Sequence, residues 1–235
     1  MKRFPLYDNM LSSYTYNMLT CYHINKGNHM KTLAIISQKG GSGKTTIAVH
    51  LAFCAVLSGK SVALIDIDQQ GSTIDWFKTR KTEHDLAAIH TTAAALTDLI
   101  LKAKKGGADL VIIDTAPHSA EDAVIAARSA DLILIPCHPS RFDLKAMPPT
   151  FEIVKLVGTK AFIVLNRCTG QKIAENAKEA LESQGFPVLD IFIFDRAAYR
   201  HAVMDGRSVH EYEPGGKAAL EIDQLFAFIK GKIKL

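Results

Sequence analysis

Between Leu33 and Thr46 the chain changes character twice. Leu33-Ala34-Ile35-Ile36-Ser37 is a short apolar run, and Gln38-Lys39-Gly40-Gly41-Ser42-Gly43 is rich in glycine. From about Thr45 to Leu57 the apolar residues Ile47, Val49, Leu51, Ala52 and Val56 mark a helix that Gly59 stops. Glycines let backbone N–H groups turn inward around an anion, and the helix N-terminus adds the positive end of its dipole. A phosphate loop requires G-x-x-x-x-G-K-[ST]. Gln38 stands where its first glycine belongs, while Gly43-Lys44-Thr45 is intact. In that pattern Lys44 reaches the β/γ-phosphates of a nucleotide and Thr45 ligates Mg²⁺. Gly40, Gly41, Ser42, Gly43 and Thr46 complete the cradle.

The rest of the chain repeats the alternation. Apolar runs at 61–67, 87–90, 110–114, 131–135, 160–166 and 188–193 read as strands. Between and after them, helices are predicted over 93–104, 120–129, 143–157, 173–184, 197–204 and 217–230. Pro136 is expected to end its strand, and Pro148-Pro149 to kink or break the 143–157 helix. Continuous apolar strands alternating with amphipathic helices mean a doubly wound α/β fold, its mostly parallel sheet covered by helices on both faces. Ligands of such sheets bind beyond the carboxyl ends of the strands.

Carboxylates stand at two of those ends. Asp66-Ile67-Asp68 closes the second strand, and by the period of two both carboxyls lie on one side of an extended chain. Leu110-Val111-Ile112-Ile113 delivers Asp114 to the tip of another, where a carboxylate holds Mg²⁺ through water. The Asp66/Asp68 pair has a plainer reading as strand-end carboxylates capping a turn. Asn166 ends the 160–166 strand with a donor and an acceptor in one amide, and is equally suited to capping a turn. His118 reads as a solvated loop histidine.

Lys39-Gly40-Gly41-Ser42-Gly43-Lys44-Thr45 resembles the deviant Walker A motif, K-G-G-x-G-K-[ST], of the ParA/MinD ATPases. Asp66-Ile67-Asp68-Gln69-Gln70-Gly71-Ser72 resembles the family's D-x-D-P-Q-G-S, with Gln69 replacing proline, and 110–117 resembles its Walker B strand. The resemblance spans about 30–232 and includes the tail of small plasmid-type ParA proteins. It implies a P-loop ATPase that dimerises around ATP and Mg²⁺, with Lys39 reaching the partner's phosphates. It implies that Asp68 orients the attacking water, that Asp66 is an outer Mg²⁺ partner, and that Asn166 reads the adenine edge. A centromere-binding ParB-like adaptor, nonspecific DNA, and a cytoplasmic, nucleoid-associated role in plasmid or chromosome partition follow from the same likeness. The MinD branch implies membrane association instead. A metabolic P-loop enzyme is a further alternative; a nitrogenase-type reductase is not, because no cysteine closely follows Asp114.

Charge bears on the choice of partner. The 28 Lys and Arg exceed the 24 Asp and Glu, leaving a net +4, which is compatible with a polyanion. Arg196, Arg200, Arg207, Lys217 and Lys230 are the candidate DNA contacts. Ile222, Leu225, Phe226, Ile229 and Ile233 form one apolar stripe ending among Lys230, Lys232 and Lys234. That stripe reads as a helix docked on the core rather than a membrane anchor. No apolar run reaches the ~20 residues of a membrane span. The four cysteines are scattered and suggest neither a zinc motif nor a disulfide framework. Residues 1–29 carry Tyr7, Tyr14, Tyr16 and Tyr22 without periodicity and read as a loosely ordered extension before a 30–235 ATPase domain.

Overall fold

The computed structural model describes residues 30–81 and 85–235; the expectation for 1–29 lies outside the described residues. Seven strands form one sheet: β1 Lys31–Ile35, β2 Val62–Asp66, β3 Leu86–His90, β4 Leu110–Asp114, β5 Leu132–Cys137, β6 Ala161–Cys168 and β7 Val188–Phe194. Their order is β3-β2-β4-β1-β5-β6-β7, and every pairing is parallel. The sheet is therefore parallel throughout, as the alternation of strands and helices predicts. The chain starts in the middle at β1, builds one side, returns through β4 to flank β1, then builds the other side from β5. The turn after β1 thus lies where the winding reverses, the usual ligand position of such sheets.

The strands separate two cores by simple alternation. Leu33, Ile35, Leu64 and Ile112 face one layer, and Ala34, Ile36, Ile65 and Ile113 the other. Helices α1 Lys44–Leu57, α2 Ser72–Thr79, α8 Ala197–Met204, α9 Val209–Tyr212 and α10 Lys217–Ile233 contribute to the first layer. Helices α3 Leu96–Lys105, α4 Ala120–Arg128, α6 Met147–Val157 and α7 Gln171–Glu182 contribute to the second. A short α5, Arg141–Lys145, precedes α6.

Two local expectations change. Pro136 does not end β5, which runs to Cys137. The Ile36 N–H donates to the Leu134 carbonyl, so by alternation the Pro136 nitrogen faces the β1 side, past Ile35 where β1 has ended. The 143–157 helix breaks as expected, but at Ala146, which places Pro148 and Pro149 in the first turn of α6, where missing N–H groups cost nothing. The short helices α2 and α9 have no counterpart in the periodicity. The apolar stripe of α10 is buried, with Ile222, Leu225 and Ile229 fully so, and docks on the core as expected.

Candidate nucleotide site

The glycine loop begins at Ser37, two residues past the end of β1, and is bound at both ends. Gln38, in the place of the first glycine, has its N–H on Thr150 Oγ1 and its side chain on the Ser119 carbonyl, so side-chain contacts hold that position. Gly43 caps α1 at φ 94°, in the left-handed region. A Cβ there would lie 2.1 Å from Asn166 Nδ2. Asn166 is buried at the end of β6, and its amide donates to the Ser42 carbonyl at 2.8 Å. In this state Asn166 braces the loop from below. Lys44 is buried with Nζ 3.3 Å from the Ser37 carbonyl. Burial lowers its pKa, against the pull of Asp114 and Asp68.

Strand register assembles the acids. Asp66 pairs with Asp114 across β2 and β4, and Asp114 with Ile35 across β4 and β1. Both carboxyls therefore emerge beside the loop. Asp114 Oδ2 accepts from Thr45 Oγ1 at 2.6 Å and from Thr73 Oγ1 at 2.8 Å. Burial pushes its pKa up to about 7, with the Asp66 charge adding to the rise and the two threonine hydroxyls and Lys44 opposing it. Burial also raises Asp66, whose oxygens accept from the Asp68 and Thr73 N–H groups. Asp68 is half-buried, and its Oδ1 caps the Gln70 N–H. The turn that follows closes from the Gly71 N–H to the Asp68 carbonyl and needs no proline at Gln69.

Two buried polar atoms here have no protein partner, Asp114 Oδ1 and Ser42 Oγ. Such groups are expensive to leave unmet. Two carboxyls, two hydroxyls and one lysine around an unmet carboxylate oxygen fit a hard divalent cation with phosphate oxygens. Thr73, on α2, was missed by the sequence reading. Its only signal is a threonine just past Gly71, and β-to-α packing, not spacing, brings it to Asp114.

Lys39 sits at the rim. Its Nζ is 2.7 Å from Asp143 Oδ1, with Ser140 Oγ on the same carboxylate and His138 Nδ1 at 3.9 Å. His118 is exposed beside Gly40 and adopts φ 63°. The candidate DNA contacts are dispersed in environment. Arg196 binds Glu221 at 2.7 Å, within a network that includes Tyr199, and is a structural group here. Arg200 pairs with Asp195 at 2.7 Å, and Arg207 pairs with Asp205 while lying over the Tyr212 ring. Lys217 and Lys230 are exposed.

Comparison with known proteins bears on this geometry. Residues 33–209 match the family described as CobQ/CobB/MinD/ParA nucleotide binding domain. The chain is 34% identical over 206 residues to "Maintenance of carboxysome distribution protein A" of Halothiobacillus neapolitanus, covering 83% of this chain and 94% of that one. It is 23% identical over 210 residues to Protein ParA of Rhizobium radiobacter, covering 85% and 94%. The solved ATP complex of Cyanothece McdA superposes with a TM-score of 0.72 at 20% identity, over 89% of this chain and 98% of that one.

Proposed function

The chain belongs to the ParA/MinD branch of P-loop ATPases, within the CobQ/CobB/MinD/ParA nucleotide-binding family, and from that premise we propose that it is an ATP-driven switch that positions an intracellular cargo. One observation carries the reading: a phosphate cradle complete in cis, with a second lysine, Lys39, parked on Asp143 at its rim. Lys44 and the loop N–H groups hold the β/γ-phosphates of ATP. Thr45 and Asp114 hold Mg²⁺, with Asp66 behind them. Magnesium supplies neutralisation of the phosphate charge. Asp68 orients the attacking water once released from its turn. Asn166 exchanges the Ser42 carbonyl for the adenine edge when ATP binds.

Lys39 has no phosphate within its own cradle to serve, because Lys44 occupies that role from below. A second subunit brings its nucleotide to the rim, where Lys39 exchanges Asp143 for phosphate. Phe142, next to Asp143 and 80% exposed, gives that face an apolar contact. The dimer presents Arg200, Arg207, Lys217 and Lys230 twice, which favours nonspecific DNA as the track.

Cargo is a finer matter. The carboxysome-distribution relative is more similar than the ParA relative, and this favours a protein body over a plasmid or chromosome region. A ParB-like adaptor remains the partner under the partition reading. Under either cargo, Lys39→Ala should bind ATP as a monomer, fail to dimerise, and lose cooperative DNA binding. Sedimentation with ATP and Mg²⁺, then DNA binding at two salt concentrations, checks this. Dimerisation of Lys39→Ala like wild type would overturn the trans-lysine switch and favour a metabolic P-loop enzyme.

A further inference from the structure

Away from the nucleotide, three helices bring together a thiol, an imidazole and a carboxylate. Cys54 lies near the end of α1, His210 on α9 and Asp223 on α10. Cys54 Sγ is 3.4 Å from Asp223 Oδ1, and His210 Nε2 is 2.8 Å from the same oxygen. One ligand atom from each lies within 4.8 Å of the other two, the one such group of three found among the described residues. By the helical rise of about 1.5 Å per residue, Cys54 is roughly 15 Å along α1 from Lys44, so this is not part of the phosphate site.

The protein alone uses these groups poorly. The Cys54 side chain is buried, and a thiol is a weak donor. His210 is nine-tenths buried, yet its Nδ1 meets no partner. Asp223, half-exposed, serves both neighbours through one oxygen and leaves the cluster open to solvent on its side. A catalytic reading fails on order. The carboxylate stands between imidazole and thiol, and burial followed by the Asp223 hydrogen bond drives the thiol pKa up, away from a nucleophilic thiolate.

We propose that Cys54, His210 and Asp223 form a binding site for one divalent transition-metal ion, zinc by ligand type. Sulfur, nitrogen and a single carboxylate suit zinc and its neighbours and not calcium or magnesium. Zinc–ligand lengths of about 2.0–2.3 Å place tetrahedral ligands roughly 3.3–3.8 Å apart, so side-chain shifts below ~1 Å close the set. The ion displaces the Cys54 thiol proton to solvent and takes the thiolate, one imidazole lone pair and one carboxylate oxygen. Water fills the fourth position on the Asp223 side. Bound there, the ion ties α9 and α10 to the helix that begins at the phosphate loop. This site needs no bound nucleotide.

Cobalt reports the ligands directly. The full chain, freed of metal by a chelator and kept reduced by a phosphine, is titrated with Co²⁺, and zinc affinity is then read by competition with a chromophoric chelator. Wild type should bind one ion and show a sulfur-to-cobalt charge-transfer band. Cys54→Ser should lose the band. His210→Ala and Asp223→Asn should bind zinc at least ~100-fold more weakly, beyond the 10–100-fold that even an outer partner costs. Asp223→Asn changes an exposed side chain and keeps the fold, so its result stands even if Cys54→Ser folds poorly. Zinc should also raise the thermal midpoint of wild type by a few degrees and leave Asp223→Asn unmoved. Absence of a thiolate band, a band that survives Cys54→Ser, or zinc affinity unchanged in Asp223→Asn would each overturn the site.

Discussion

A methyl group at Gly43 meets two obstacles at once, a left-handed φ of 94° and the Asn166 amide at 2.1 Å. Either the loop moves or Asn166 releases the Ser42 carbonyl. Gly43→Ala should therefore destabilise the protein by more than about 2 kcal/mol and lose nucleotide affinity together, since one residue fixes both brace and cradle. Denaturant unfolding and nucleotide titration check the pair; a stable Gly43→Ala that binds ATP normally would show that the loop rearranges freely. Asp143 works differently. Burial alone would raise its carboxyl, but the hydrogen bond and charge of Lys39, with Ser140 and His138, hold it below the ordinary value. A carboxyl lowered in the folded state stabilises above the unfolded pKa of ~3.9 and loses that contribution as pH falls through the folded value. Lys39 is more than a third exposed, so solvent screening limits the pair to about 0.5–1 kcal/mol. Wild type should exceed Asp143→Asn by that amount near pH 7, and the gap should close as pH falls below the unfolded value of ~3.9 and through the lower folded one. A gap that is constant with pH would mean the difference lies in packing.

Helix α2 illustrates an element whose existence depends on what it touches. Only eight residues long, with Thr73 and Trp76 buried, it lacks the span for a readable period. Its anchors are distant in sequence. Trp76 Nε1 donates to the Arg207 carbonyl at 3.0 Å. Arg80, just past the helix, binds Glu211 through two nitrogens at 2.8 and 3.0 Å and also reaches the Gly206 carbonyl. The guanidinium lies over both the Phe53 and Trp76 rings. Glu211 completes a capping box with Ser208 at the start of α9. This strut joins the segment that carries Asp68 and Thr73 to the segment that carries Arg207. Arg80→Ala removes the guanidinium from a largely buried ion pair with Glu211, and should cost about 2–4 kcal/mol in chemical denaturation. A loss below ~1 kcal/mol would mean water replaces the guanidinium.

At the scale of the whole molecule, α10 turns its apolar stripe inward. Its stripe from Ile222 to Ile233 is spent on the core, with Ile229 fully buried against the β-sheet layer that α1 also covers. No described helix is long and apolar enough to cross a membrane. Ile229→Ala should cost about 2–4 kcal/mol of global stability, and wild type should stay in solution when anionic vesicles are floated. Flotation of wild type with little stability loss in Ile229→Ala would reinstate the anchor reading. Arg196 makes a related point: a sequence sees a cation, whereas the fold binds it to Glu221 beside Tyr199 and gives it a structural task.

Local chemistry is what the sequence by itself determined. The buried strands, the glycine loop, Lys44, Thr45 and the positions of Asp66 and Asp114 at strand ends follow from period, apolar runs and residue types within a few neighbours of each other. Only the tertiary structure decided the rest. Thr73 joins Asp114, Asp143 holds Lys39, Asn166 holds the Ser42 carbonyl, and Cys54 meets His210 and Asp223 because strand order and helix docking bring distant residues within hydrogen-bond reach. Those contacts depend on register and packing in three dimensions, and no pattern of spacing along one chain encodes them.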